Sequence, residues 1–226
     1  MMKRANRSDA GQSFTELAIL IGLVAAVVVV GLSLTGEGTR DALCRASGAF
    51  GGKCGDLFRD DFSSLNNWSI QSGRWQIRDG RLCIDGPGRI YRPLDRSDYV
   101  INLDVARITQ GNGYGIFFRD SGDAKFNGYS FQYDPGYGQG AFIIRKWVNG
   151  NELSTPIARV NAPAGYDWYG ADRQVRVEVR GDTFTAYIDG QPAVQIRDNS
   201  FTSGGIGLRS WDNTSACFDN LSVQRP

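Results

Sequence analysis

The sequence of 226 residues contains no histidine. A Ser-His-Asp triad is therefore excluded, and the usual zinc sites lose their imidazole ligands. Four cysteines are present, none in Cys-x-x-Cys spacing, so a zinc cluster or a thioredoxin-like redox site is excluded as well. Glutamate is scarce: in the main part of the chain it occurs only as Glu152, in a loop after Asn149-Gly150, and as Glu178, alone on a strand. Glycosidases commonly need paired carboxylates at a fixed separation, and these two do not supply them, so the chain is not expected to be an enzyme. Lysine and arginine (25) nearly balance aspartate and glutamate (24) without a basic run. This argues against a nucleic-acid partner and gives no reason to favour acidic ones. Internal repeats are missing, which disfavours solenoids and propellers. Long apolar runs are missing too, with one exception near the amino terminus.

That exception runs without a charge from Leu17 to Leu34. At about 1.5 Å per residue it makes a helix of roughly 27 Å, enough with its flanks to cross a membrane. The short leader before it carries Lys3, Arg4 and Arg7 and lacks the apolar region of an ordinary secretory signal, so the amino end should stay cytoplasmic. Glu16 stands at the edge of the apolar run, where a carboxylate loses hydration unless a helix amino terminus or a partner compensates it.

Leader, Gly-x-x-x-x-Glu spacing and immediate apolar run together resemble the prepilin amino terminus of type IV pilins, closest to the small Flp-type subunits of tight-adherence pili. The resemblance covers about the first 45 residues, and Leu17 departs from it where the family usually has an aromatic. It implies cleavage by a prepilin peptidase after Gly11, leaving Gln12 as the new terminus. It also implies that Glu16 pairs with the α-amine of a neighbouring subunit. Expected partners are then other pilin subunits, the pilus assembly machinery, the inner membrane before assembly, and the extracellular pilus afterwards. The expected division is a leader over 1–11, a pilin helix over 12–43, a disulfide-pinned linker over 44–56 and one outer domain over 57–226. An even number of cysteines in an exported domain points to disulfides. Cys44 with Cys54 and Cys83 with Cys217 is the pairing favoured here, the other connectivities remaining open.

From Leu57 onward, short alternating apolar segments recur between turn signals such as Arg78-Asp79-Gly80, Val148-Asn149-Gly150 and Ile188-Asp189-Gly190. Strands are predicted from Leu57–Phe62 through to 216–223, including Tyr114–Arg119, 128–133, 141–147, Ser154–Arg159 and Gly205–Ser210. Such a series suggests two packed antiparallel sheets. Asp60-Asp61-Phe62, the hairpin WQIRDGRL, GIFFR, YIDG and the closing FDNLSV follow in an order that resembles the concanavalin A-like, laminin-G-like jelly-roll superfamily. That sandwich hosts lectins, carbohydrate-binding modules, glycosidases and spacers alike, so the fold does not choose a function. The Glu-x-Asp-x-x-Glu run of its glycosidases is absent, although GIFFR and GYSFQYD also resemble a bacterial family associated with keto-glycoside hydrolysis.

Alternation along the strands predicts which side chains leave the core. If the sheet order follows the resembled family, Phe117, Arg119, Gln132, Asp134, Arg145, Trp147, Arg209 and Trp211 gather on one outward face. Aromatic rings stack on sugar faces, and planar amide, carboxylate and guanidinium groups bond hydroxyls, so this set suits a glycan. The plainer alternative is that the tryptophans are ordinary core or loop residues and the arginines are solvated. The resemblance further implies a structural Ca2+ at Asp61 and Asp219, against the alternative that both merely cap turns. Two other functions compete with the pilin: an anchored lectin and an anchored glycan-processing enzyme, neither of which polymerises.

Overall fold

The computed structural model describes residues 56–226. The leader, the predicted pilin helix with Gly11, Gln12 and Glu16, and the Cys44–Cys54 pair lie outside the described residues. Gly55–Pro226 forms one compact unit. Its strands are β1 (Phe58–Asp60), β2 (Ser69–Ser72), β3 (Gln76–Arg78), β4 (Arg81–Asp85), β5 (Gly88–Arg92), β6 (Tyr99–Gln110), β7 (Tyr114–Asp120) and β8 (Gly128–Asp134). They continue with β9 (Ala141–Val148), β10 (Asn151–Glu152), β11 (Ala158–Asn161), β12 (Arg173–Arg180), β13 (Thr183–Ile188), β14 (Gln191–Arg197), β15 (Gly205–Ser210) and β16 (Ser215–Gln224).

All pairings are antiparallel and build two sheets. The first runs β14-β13-β12-β6-β16-β4-β3, with β1 also on β16; the second runs β10-β9-β8-β7-β15-β5-β2, with β11 also on β9. Two packed antiparallel sheets are what alternation and turn signals imply, and their jelly-roll-like arrangement is what the motif resemblance implies. β2 and β10 are additions to the predicted series. Predicted over Ser154–Arg159, β11 begins only at Ala158, after the chain has run along the edge of β9 through the bonds of Leu153 N to Lys146 O and of Ile157 N to Ile144 O.

Inward side chains of the two sheets meet in a single core that includes Leu82, Ile101, Leu103, Phe118, Tyr129, Phe131, Val177, Phe184, Leu208 and Phe218. Aromatic rings hold the layers together: Tyr114 stacks on Tyr133 at 5.1 Å, and Phe118 stacks on Tyr129 at 5.5 Å while meeting Phe184 edge-on at 5.0 Å. The strand β12 shows the ordinary pattern of a one-sided sheet, with Val175, Val177 and Val179 buried and Gln174, Arg176 and Arg180 exposed. The strands β7 and β8 do not, because every residue in them is buried. Something therefore covers the outer face of the second sheet, and that cover is where the chemistry lies.

Cys83 and Cys217 are directly paired residues of β4 and β16 and form a disulfide across 134 positions of sequence, as predicted.

Candidate functional site

The outer face of the second sheet has two halves. In the first, the segment after β7 folds back and lays Phe126 against Phe117, edge-on at 5.2 Å, and against Trp147, stacked at 5.0 Å. The three rings form a small second apolar cluster. Arg89 of β5 lies over Phe126 at 3.6 Å and is held there by Asp120 at 2.5 Å. Burial is the main cause that pushes the Asp120 carboxyl upward, against the opposing pull of Arg89.

The second half is polar. The Asn149-Gly150 turn closes a two-residue hairpin, so Val148 faces Asn151 and Trp147 faces Glu152. This register delivers the Glu152 carboxylate onto the face. There Arg145 Nε meets its Oε1 at 2.9 Å and Arg209 Nη1 meets its Oε2 at 2.8 Å. Gln132 Nε2 donates to the same carboxylate, and Gln132 Oε1 accepts from Arg145 Nε at 3.2 Å. Arg145 Nη1 is further fixed by the carbonyls of Leu153 and Ser154 at 2.9 and 2.7 Å. The Arg209 guanidinium sits 4.6 Å from the Trp147 ring and 5.2 Å from Trp211. Ser130 Oγ accepts the Trp147 indole N–H at 3.0 Å. Tyr137 covers Arg145 at 5.3 Å and also lies beside Arg159 of β11 at 5.6 Å.

Asp134 ends β8 beside this network. Burial raises its carboxyl to about 6, while the amides of Gly136 and Tyr137 and the charge of Arg145 pull it down.

Gln132, Arg145, Trp147, Arg209 and Trp211 lie together in the structure, with Asp134 next to them. They do not form an open surface. Gln132, Asp134, Arg145 and Trp147 are buried, and Phe117 is wholly buried under Phe126; only Arg209 and Trp211 of the predicted set are half-exposed. Arg119 is the clear departure. It takes φ +50°, and the ladder between β7 and β15 shifts register at Gly205/Ile206, opposite Phe118 and Asp120. This bulge breaks the alternation. The guanidinium turns away to the carbonyls of Ser97 (3.2 and 2.9 Å), Phe201 (2.9 Å) and Gly181 (2.6 Å), leaving Asp120 to take the outer face. Arg119 is a structural residue.

The residues that sequence reasoning missed are Glu152, Tyr137 and Phe126. For Glu152 the signal was available, since a two-residue Asn-Gly hairpin places it opposite Trp147. For Phe126 and Tyr137, which reach the face from loops, no periodicity applies.

The two residues expected to hold calcium serve their own turns. Asp61 Oδ1 accepts the amide of Ser63 at 3.0 Å, and Asp219 Oδ1 accepts that of Asn220 at 2.8 Å, so each caps its own turn. Calcium needs six to eight oxygens, and among the described residues no acidic cluster offers them. The buried carboxylate of this region is Asp60, which takes the amide of Phe62 and the side-chain N–H groups of Asn67 and Trp68. An open depression beside the disulfide is polar but paired within itself: Arg81 binds Asp172 through two 3.0 Å bonds, and Arg78 meets Asp85 at 2.9 Å.

Among solved structures, the carbohydrate-binding module CBM66 from Bacillus subtilis matches with 26% identity, covering 70% of this chain and 95% of that one, at a TM-score of 0.60. A Bacillus subtilis protein of unknown function with a galectin-like fold matches at 14% identity, covering 77% and 97%, with a TM-score of 0.59. A lectin from Bauhinia forficata in complex with GalNAc matches at 15% identity, covering 75% and 97%, with a TM-score of 0.56. The last two speak to the fold alone. No curated protein matches. The model of the 3-keto-alpha-glucoside-1,2-lyase-like domain family matches residues 55–224, and the chain belongs to that family.

Proposed function

We propose that the outer domain is a carbohydrate-binding module that holds its ligand without cleaving it. The observation that carries this reading is the half-exposed pair Trp211 and Arg209, set beside Glu152 on the second sheet. Trp211 offers a ring for a sugar face. Arg209 and Glu152 offer a donor and an acceptor for hydroxyls, already oriented by their mutual bond and by Gln132 and Arg145. The likeness to a carbohydrate-binding module supports the same reading. The way the carboxylates are engaged supports binding without turnover. Two arginines and an amide surround Glu152, and Asp134 is buried, so neither resembles a general acid and base facing a shared substrate bond.

The test is a glycan array followed by calorimetry on the full chain and on Trp211→Ala and Arg209→Ala. Loss of a stacking ring should weaken binding roughly fivefold, about 1 kcal/mol. Undiminished binding by both variants overturns the site, and release of sugar products overturns the non-catalytic part. Trp147→Ala is the wrong probe, because that ring belongs to the second apolar cluster.

Display of this module at the cell surface is inferred from the amino-terminal sequence alone, where Gly11, Gln12 and Glu16 carry the prepilin spacing. On that reading the mature protein begins at Gln12 and its helix passes from the inner membrane into a pilus; a plain membrane anchor is the alternative. Mass spectrometry of the mature terminus separates them. A chain starting at Gln12 supports the pilin, and an intact Met1 supports the anchor.

A further inference from the structure

At the mouth of this site the arginines are unevenly matched by the carboxylates around them. Arg209 uses Nη1 on Glu152, and among the described residues no acceptor engages its Nε or Nη2. Its guanidinium is nonetheless fixed in place, against the Trp147 and Trp211 rings and with 23% of the side chain exposed. Arg159 is exposed on β11, beside the Tyr137 ring, and has no acidic partner among the described residues. Arg145, between them, is neutralised by Glu152. Of the other carboxylates nearby, Asp134 is buried and close to the amides of Gly136 and Tyr137, and Asp212, exposed beside Trp211 in sequence, forms no ion pair with either arginine among the described residues. A linked row, Arg159–Tyr137–Arg145–Glu152–Arg209–Trp211, therefore presents two incompletely matched guanidinium groups to solvent.

A neutral sugar leaves those charges unmatched. A planar carboxylate suits the guanidinium fork in two parallel bonds, shorter and stronger than neutral ones. An arginine already held by an ion pair and two indoles loses little freedom on binding it. Trp211 is itself seated by the backbone: a Cβ at Gly113 would come within 2.7 Å of its ring. We propose that the ligand is an acidic glycan, whose sugar carboxylate lies along the open edge of Arg209 while its ring stacks on Trp211 and Arg159 attracts the neighbouring charge. This deepens the carbohydrate-binding reading and depends on it.

The experiment is calorimetric titration of the full chain with oligomers of glucuronate, galacturonate and mannuronate. Each is paired with its carboxyl-reduced neutral counterpart, and a sulfated oligosaccharide is added. At least one acidic oligomer should bind roughly tenfold or more tightly than its neutral twin, and the gap should narrow as salt is raised. Arg209→Gln should bring the pair close to parity while weak neutral binding persists. Arg159→Gln, at an exposed position that does not threaten folding, should reduce the preference by a smaller factor. Glu152→Gln should increase it, because the competing carboxylate is gone. Equal or better binding of the neutral twins overturns the acidic ligand and leaves the carbohydrate reading standing. Binding of the sulfated sugar alone overturns the carboxylate. Failure of every sugar to bind overturns both.

Discussion

Arg119 shows how one residue escapes a correct strand assignment. Its strand, its neighbours and its alternation all point outward, yet a left-handed backbone and a bulge turn it to three carbonyls at the rim of the core. Its role is therefore testable as stability. Arg119→Ala should cost about 2–3 kcal/mol in denaturant unfolding, since the charge-assisted bonds of a buried guanidinium to three carbonyls are lost, and should leave sugar affinity unchanged. A large loss of affinity with normal stability would return it to the site. Asp134 carries a second residue-scale prediction. Its folded carboxyl titrates at about 6, above the ordinary 3.8. Between those values the folded chain binds a proton that the unfolded chain releases. Its contribution to stability is thus full below about pH 4, falls as pH rises to 6, and is constant above. Other carboxylates behave oppositely, among them Asp198, where burial pushes the group up but Lys146 and Tyr129 hold it well below its ordinary range. The informative quantity is therefore the difference in melting temperature between the wild type and Asp134→Asn. It should decline from pH 4 to 6.5 and then level off; a flat difference would mean that Asp134 titrates normally.

At the scale of elements, the strands were legible because their period and turns are local properties. Val175, Val177 and Val179 alternate as a half-buried strand must, and Asn149-Gly150 marks its hairpin. β10 carries no period in its two residues, so only the Asn149-Gly150 turn pointed to it and, through it, to Glu152 opposite Trp147. The burial of Phe117 was equally hidden, since it comes from Phe126 in a loop that only the folded chain brings overhead. The Cys83–Cys217 link was within reach of cysteine counting, and the structure adds that it joins directly paired residues of β4 and β16. Closing a loop of 134 residues is worth about 5 kcal/mol in the chain-entropy model, and real disulfides commonly deliver less. The double variant Cys83→Ala, Cys217→Ala should accordingly lose about 3–5 kcal/mol by urea unfolding. A loss below about 1 kcal/mol would show that the unfolded chain keeps these strands near each other even without the bond.

At the scale of the whole molecule, the β-sandwich domain depends little on the rest of the chain. Its core joins both sheets, its disulfide lies within it, and β1 closes onto β16 near the last described residues. A domain of this size buries enough surface to be stable alone. The family match spans 55–224, and the similar carbohydrate-binding module is covered over 95% of its own length by this part of the fold. Residues 55–226 produced as a separate fragment should therefore unfold in one cooperative step, at the same midpoint as the domain within the full chain. The fragment should also bind sugars with unchanged affinity, because every residue assigned to the site lies between Gly113 and Trp211. A lower midpoint, or weaker binding with the midpoint preserved, would show that the preceding residues complete the core or the site. The amino-terminal segment would then be more than the means of display proposed for it.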